Sequence, residues 1–343
     1  MGAALALAER GRGRTAPNPN VGCVIVADGI VVGRGWTQPG GRPHAEAMAL
    51  AEAGAKSRGA TCYVTLEPCA HLSPRGPACA DLLVEAGIAR VVAALADPDP
   101  RTNGNGFARL RAAGIAVESD VRAAEARRSM AGFLTRRARG RPHVTLKLAT
   151  SLDGCIAMAS GESRWITGPE ARAHAHLERS RHEAILVGRG TWQADAPKLD
   201  VRLPGLENRS PRRLLLSSRH PSQGWSVSPH AEPPLARDVS LGCHKQSWEH
   251  VAAPADIAAL ADVDHLLIEG GAQTAAAFLA ADLVDRLLIY RAPILIGSGT
   301  PALANIGLAS LADAHDRWRL ADARQLGADR LEVYERLPCS PAS

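Results

Sequence analysis

The sequence predicts two α/β domains in series, and three observations carry this. The chain has 343 residues, which suits roughly two domains. Short runs rich in Val, Ile and Leu alternate with Ala-rich helical stretches, a pattern that argues for sheets covered by helices. The alternation pauses at a basic helical stretch, 121–141, and restarts at His143. Aromatic residues make up only 3% of the chain against 46% hydrophobic residues, so Ala, Leu and Val must fill the cores.

In chain order, residues 3–10 read as a short helix and 15–20 as a turn-rich loop. Residues 21–26 read as a buried strand, with Asp28-Gly29 turning a hairpin into 30–33. Pro43 suits the start of a helix over 44–53. A strand follows over 60–66, and Pro68 is expected to open a short helical turn. A helix over 79–86 stops at Gly87, and 89–95 is a strand. Asp97-Pro98-Asp99-Pro100 breaks the chain before a helix over 107–113 and a strand at 115–117. A mostly parallel sheet is expected. Segment 121–141 carries Arg127-Arg128 and the run Arg136 to Arg141, and reads as a solvated linker helix.

In the second half, a strand over 144–148 precedes a helix over 169–181 and a strand over 184–187 that ends in Gly188-Arg189-Gly190. Another strand occupies 213–216, and 217–254 reads as a long irregular insertion. The strand over 265–268 ends in Glu269-Gly270-Gly271 with a helix after it. A strand over 287–296 is broken near Gly297-Ser298-Gly299, and 330–336 is expected at a sheet edge.

Net charge is +5, and no run of like charge resembles a nucleic-acid arm. No stretch approaches the ~18 apolar residues of a membrane span, and the N-terminal apolar run is too short for a signal peptide. Seven cysteines in a chain of this size do not form a disulfide framework. A cytoplasmic protein binding a small anionic molecule is expected, with neither nucleic acid nor membrane as partner.

The informative cluster runs from His44 to Cys79. It contains Pro43-His44-Ala45-Glu46, Thr65-Leu66-Glu67-Pro68-Cys69 and Cys79. Catalytic zinc takes three protein ligands and leaves one position open. His44, Cys69 and Cys79 can supply the three, and Glu46 is then free to move protons. His-x-Glu followed by Pro-Cys is the signature of zinc deaminases that act on nucleobases, although Cys79 follows Cys69 after nine residues rather than two. Both metal-binding stretches are expected at helix starts, where the helix dipole favours thiolates. A structural zinc with His71 or Cys62 as fourth ligand is the rival reading. Cys23 and Cys155 read as small core residues. Cys243 and Cys339 carry no assignment.

The wider pattern resembles a known family. Thr15-x-Pro17-Asn18-Pro19-x-Val21-Gly22, the two zinc stretches and Asp97-Pro98-x-Pro100 are similar to the deaminase half of the bifunctional riboflavin-biosynthesis deaminase/reductases. Lys147-Leu148-Ala149-x-Ser151-Leu152-Asp153-Gly154, Ser160-Gly161-Glu162-Ser163-x-Trp165-Ile166-Thr167, Ile185-Leu186-Val187-Gly188-x-Gly190-Thr191 and Glu269-Gly270-Gly271 are similar to the reductase half. The resemblance covers nearly the whole chain and is weakest between about Gly205 and Pro254.

It implies an N-terminal cytidine-deaminase-like three-layer domain over 1–120, the linker over 121–142, and a dihydrofolate-reductase-like domain over 143–338. It implies zinc-dependent deamination of 2,5-diamino-6-ribosylamino-4(3H)-pyrimidinone 5′-phosphate, then NADPH reduction of the ribosyl chain to ribityl. The zinc ligands would be His44, Cys69 and Cys79, with Glu46 as proton shuttle. Ala149, Trp165, Thr191, Asp195, Ser218 and Gly271 would meet NADPH. Ser163, Arg179, Leu199, Arg202 and Glu269 would meet substrate, with Arg179 and Arg202 clamping its phosphate, and Lys147 would orient or protonate the reducing centre. A homo-oligomer is implied as well. Thr37, Gly76, Asp99 and Ala196 stand where the family usually has His, Thr, Asn and Asp. They motivate one alternative, a divergent paralogue acting on a related pyrimidine or pterin.

Overall fold

A computed structural model describes residues 1–71, 73–219 and 248–337. The chain divides into two compact units, Met1–Arg141 and Pro142–Ser343. Cys243 and Cys339, and most of the expected 217–254 insertion, lie outside the described residues.

The first unit contains α1 (Gly2–Ala8), β1 (Gly22–Ala27), β2 (Ile30–Trp36), α2 (Ala45–Ala53), β3 (Thr61–Val64), α3 (Cys79–Glu85), β4 (Arg90–Ala93), α4 (Asn105–Ala112), β5 (Ala116–Glu118), α5 (Ala123–Ser129) and α6 (Ala131–Arg139). Its five-stranded sheet has the order β2-β1-β3-β4-β5. The expected mostly parallel direction holds for four of the five strands: β3, β4 and β5 pair in parallel, β1 runs antiparallel to both β2 and β3, and β2 therefore points the same way as β3. The two-residue turn at Asp28-Gly29, both with positive φ, pairs Ala27 with Ile30 and reverses β1 relative to β2.

Helices cover both faces of this sheet at backbone distance. A Cβ on Gly35 would lie 2.0 Å from the Ala45 carbonyl oxygen, and one on Gly22 would lie 1.9 Å from that of Ala4. Gly35 pairs with Cys23, the neighbour of Gly22, so the two glycines point to opposite faces. Therefore α2 and α1 lie on opposite sides of the sheet, giving the expected three layers. Cys23, Ile25, Cys62, Val64, Ala45, Ala49 and Leu83 build the core.

Two local expectations are corrected here. No helical turn opens at Pro68; Glu67 to Cys69 is irregular, and helix resumes at Cys79. The basic stretch is not simply a solvated linker. It forms α5 and α6, which meet at Met130, and Ala126, Met130 and Phe133 are buried in the first core while Arg127, Arg128 and Arg139 face water. Apolar residues on one face override the signal from the arginines.

The second unit contains β6 (His143–Thr150), β7 (Cys155–Ala157), α7 (Pro169–Arg179), β8 (Ala184–Gly188), α8 (Arg189–Asp195), β9 (Arg212–Leu216), β10 (Trp248–Val251), β11 (His265–Ile268), α9 (Ala272–Ala280), β12 (Arg286–Arg291), β13 (Thr300–Pro301), β14 (Trp318–Leu326) and β15 (Asp329–Arg336). Its main sheet has the order β10-β9-β8-β11-β6-β12-β15-β14. Strands β10 through β12 in that order are parallel, and β15 and β14 close the sheet antiparallel. The expected edge strand, β15, is interior; the edge is β14, whose mostly exposed, charged residues hid it from the sequence pattern. Helix α8 and strand β10 were also not expected, and residues 292–296 do not continue a strand.

Gly35→Ala should push α2 off the sheet and cost about 1–3 kcal/mol, the usual range for overpacking. Urea unfolding of the first unit measures this; an unchanged midpoint would refute the backbone-contact account.

Candidate active sites

In the first unit, α2 and α3 bring the expected ligands together. His44 is the N-cap of α2 and Cys79 the first residue of α3, while Cys69 sits in the irregular segment before it. Thus two of the three ligands are at helix starts, not every metal-binding stretch as expected. Pro43 precedes the cap rather than occupying the first turn. His44 Nδ1 lies 3.2 Å from Cys79 Sγ and 3.6 Å from Cys69 Sγ. A tetrahedral zinc with one nitrogen and two sulfur ligands has ligand edges of about 3.5 Å, so this donor set fits the ion. Among the described residues no other group of three or more His, Cys, Asp or Glu converges in this way.

The surroundings favour a catalytic over a structural metal. Cys62 faces Cys23 at 3.4 Å, and His71 Nδ1 contacts Thr102 Oγ1 at 3.3 Å, so neither completes a fourth ligand. Glu46 is 3% exposed, and its Oε2 has no hydrogen-bond partner. Burial pushes its carboxyl up to about 7 against the charge of His44. The two thiols share a hydrogen bond, which with His44 holds Cys69 well below the ordinary thiol range despite its burial. Sequence reasoning assigned no role to Asn18, whose amide lies 3.2 Å from His44 Nε2 and bonds the Gly41 carbonyl. It orients the ring from the side away from the thiols; its place in the Pro-Asn-Pro motif was the available signal.

Glu67, also without an assigned role, organises the adjoining loop. Its carboxylate accepts the N–H groups of Asp97, Gly104 and Phe107 at 3.0–3.1 Å. Thr37 is buried, and its hydroxyl accepts the Val21 N–H. Asp99 is held down at about 2 by hydrogen bonds from Arg101, with the charge of Arg137 of α6 adding to them.

In the second unit, the expected residues gather at the carboxyl ends of the parallel strands, the usual ligand side of such sheets. Glu269 follows β11 and takes both Arg179 Nε and Nη2, at 2.7 and 2.9 Å. Arg179 Nη1 bonds the Asp200 carbonyl at 3.0 Å. Lys147 Nζ lies 3.8 Å from Glu269. Burial alone would raise Glu269, but the charges of Arg179 and Lys147 hold it down at about 2. The two arginines expected to clamp a phosphate differ in their surroundings. The Arg179 guanidinium is engaged within the protein at all three nitrogens, whereas the exposed Arg202 guanidinium meets, among the described residues, only Asp200, at 3.4 Å.

Arg202 and Trp165 line a cavity of about 320 Å³ with Arg172 and His176, two residues not singled out from sequence. The Arg172 guanidinium stacks 4.7 Å from the Trp165 ring. Arg172 and His176 are half-buried residues of α7, where no motif marks them. Thr191 Oγ1 accepts the Gly271 N–H at 3.1 Å, joining the ends of β8 and β11. Gly271 caps α9, so the first N–H groups of that helix point past β11, as phosphate binding wants. Ala149 shares the Lys147 face of β6. Asp195 meets Arg164 at 3.6 Å, and Leu199 is buried with positive φ. Ser163 and Ser218 make no side-chain hydrogen bond among the described residues.

Glu269→Gln should leave the Arg179 charge buried and cost the second unit about 3–5 kcal/mol. The folded carboxyl, near 2, is depressed below its unfolded value of about 4.3, so its contribution is present above that value. It should disappear as pH falls from about 4.3 toward 2, and parent and variant stabilities should converge there. Parallel urea titrations at pH 7 and at pH 3 test this; a constant difference would refute it.

Comparison with known proteins agrees with the two units. Residues 1–95 match the family described as the cytidine and deoxycytidylate deaminase zinc-binding region, and residues 142–331 match the RibD C-terminal domain. The riboflavin biosynthesis protein RibD of Escherichia coli is 41% identical, covering 96% of each chain. That of Mycobacterium tuberculosis is 38% identical over 96% of this chain and 95% of its own. Among solved structures, Acinetobacter baumannii RibD matches with TM-score 0.81 at 36% identity over 98% of each chain. A Thermotoga maritima diaminohydroxyphosphoribosylaminopyrimidine deaminase/5-amino-6-(5-phosphoribosylamino)uracil reductase matches with TM-score 0.83 at 32% identity over 98% of this chain and 97% of its own. With two family matches in the expected order and relatives aligned end to end, the chain belongs to the RibD family of riboflavin-biosynthesis proteins.

Proposed function

We propose that the two units carry two successive reactions of one pathway: zinc-dependent deamination of 2,5-diamino-6-ribosylamino-4(3H)-pyrimidinone 5′-phosphate in the first, and NADPH-dependent reduction of its ribosyl chain in the second. The observation that supports this reading best is the buried His44, Cys69 and Cys79 triad with the unbonded Glu46 oxygen beside it. Zinc held by the triad supplies an activated water near neutral pH. With zinc held there, Glu46 would be placed to take a proton on Oε2 and to deliver it to the substrate ring nitrogen and to the leaving ammonia. Its raised carboxyl value suits a group that must both take and give a proton near pH 7. Glu67 keeps the 97–107 loop closed beside this site.

In the second unit, Thr191, Gly271, Ala149, Asp195, Ser218 and Trp165 would hold NADPH, which supplies hydride. Lys147 presents an ammonium to the reducing centre, fixed by Glu269. Arg202, with Arg172 and His176 beside it, binds the substrate phosphate, while Arg179 and Glu269 keep the strand ends in place. Full-length identity to RibD proteins weighs against the divergent-paralogue alternative.

The domains correspond to 1–141 and 142–337, and the protein acts in the cytoplasm, which the reduced triad thiols suit. Among the described residues no helix is long and apolar enough to cross a membrane. We extend the proposal to a homo-oligomer, supported by exposed Leu152, Ile294 and Leu295 around the Leu152 N–H to Ile294 carbonyl contact. Sedimentation at micromolar concentration should show a species above monomer mass; a monomer would remove that extension.

Glu46→Gln should retain zinc by metal analysis, lose at least about 10²-fold in ammonia release, and leave NADPH oxidation on the deaminated intermediate unchanged. Ammonia release at the parent rate would overturn the shuttle role. No ammonia release by the zinc-loaded parent would overturn the substrate assignment.

A further inference from the structure

We propose that Tyr290 is a positioning residue of the reductase reaction, its ring face holding the Lys147 ammonium in place and His174 fixing the ring. This rests on the reading that Lys147 serves that reaction.

The sheet creates the arrangement. Lys147 is paired with Leu288 and Ala149 with Tyr290. Tyr290 is thus the diagonal neighbour of Lys147 on one face, within reach of a long side chain. The Lys147 Nζ lies 5.8 Å from the Tyr290 ring centroid, inside the range for attraction between a cation and an aromatic face. Glu269, at 3.8 Å, is beyond hydrogen-bond reach. Among the described residues the Lys147 ammonium makes no hydrogen bond, so the ring face and the carboxylate together hold it.

The ring itself cannot drift. Tyr290 is 1% exposed and packs with Ala171 and Ala175 of α7 and with Leu288, Leu331 and Val333. Its hydroxyl lies 2.8 Å from His174 Nδ1. Burial keeps His174 below the usual imidazole range and Tyr290 well above the usual phenol range, so the contact joins a neutral phenol to a neutral imidazole. Helix α7 therefore grips the lysine twice. Arg179 acts through Glu269, and His174 acts through Tyr290.

Lys147 is faced by Glu269 from the end of β11, by Arg179 from α7 and by Tyr290 from β12. His174 and Glu178 of α7 face the phenol, with Arg181 and Arg286 near it. Burial pulls the Lys147 ammonium below the ordinary lysine range, with Glu269 opposing that and Arg179 adding to it. An aromatic face favours the charged form, so its removal must move the lysine further down.

The test is competitive acetylation of Lys147 with acetic anhydride across pH, read by peptide mass spectrometry on the full chain, beside pH profiles of both activities. Tyr290→Leu should lower the Lys147 titration midpoint by about one pH unit. The basic limb of the reductase kcat/KM profile should move with it, while the deaminase profile stays. Tyr290→Phe keeps the ring face but loses the His174 contact, so it should shift the midpoint only part of the way, no further than His174→Ala. His174→Ala should shift the midpoint part of the way, and it decides the matter if Tyr290→Leu does not fold. Parent-like titration in both Tyr290→Leu and His174→Ala would overturn the proposal, as would a Tyr290→Phe shift equal to that of Tyr290→Leu. A shifted midpoint with an unmoved reductase limb would uphold the Tyr290 contact and remove Lys147 from the reaction.

Discussion

A charge taken out of water needs its counterpart on another element, and this requirement ties helices to strands in both units. Glu269 at the end of β11 is balanced by Arg179 from α7 and Lys147 from β6. Three elements are thereby fixed at one point. Glu67 plays the matching part in the first unit, where one carboxylate closes the 97–107 loop through three backbone N–H groups. Glu46 is the exception. Its Oε2 is buried and unbonded, and such a group persists where chemistry needs it.

Around these points the scaffold is made of small residues. Ala45, Ala49 and Ala53 let α2 touch the sheet, and glycines on β2 accept that contact at backbone distance. This is how a chain with so few aromatics packs well: its elements approach closely instead of filling space with large side chains. The same closeness sets the site, because the end of α2 that meets the sheet carries His44 and Glu46. In the second unit Ala171 and Ala175 let α7 lie on β12 and β15, which brings His174 to Tyr290.

Much of this was legible in the residues. Motifs local in sequence, such as His44-Ala45-Glu46 and Glu269-Gly270-Gly271, carry their chemistry in a few adjacent positions. The hairpin at Asp28-Gly29 was equally readable, because its turn residues are self-sufficient. What escaped has a common physical cause. Strand β14 alternates charge with apolar residues too weakly to show its period, and it exists because β15 pairs with it. Strand β10 follows a stretch without pattern and is defined by its pairing with β9. The face that α5 and α6 bury is set by α1 and the sheet, so the arginines dominated the reading. Arg172 and His176 fall at ordinary helical spacing, and only the cavity singles them out.

The sequence by itself determined the two-unit α/β plan, the metal triad, the carboxylate beside it and the family, because each depends on residue types at short spacing or in a fixed order. The tertiary structure alone decided that Arg179 is consumed by Glu269, that Asn18 orients His44, and that Tyr290 stands under Lys147. Each of those joins residues far apart in the chain. The physical reason is that hydrogen bonds and ion pairs are contacts in space, and their partners are chosen by strand register and helix placement, which no local stretch of sequence contains.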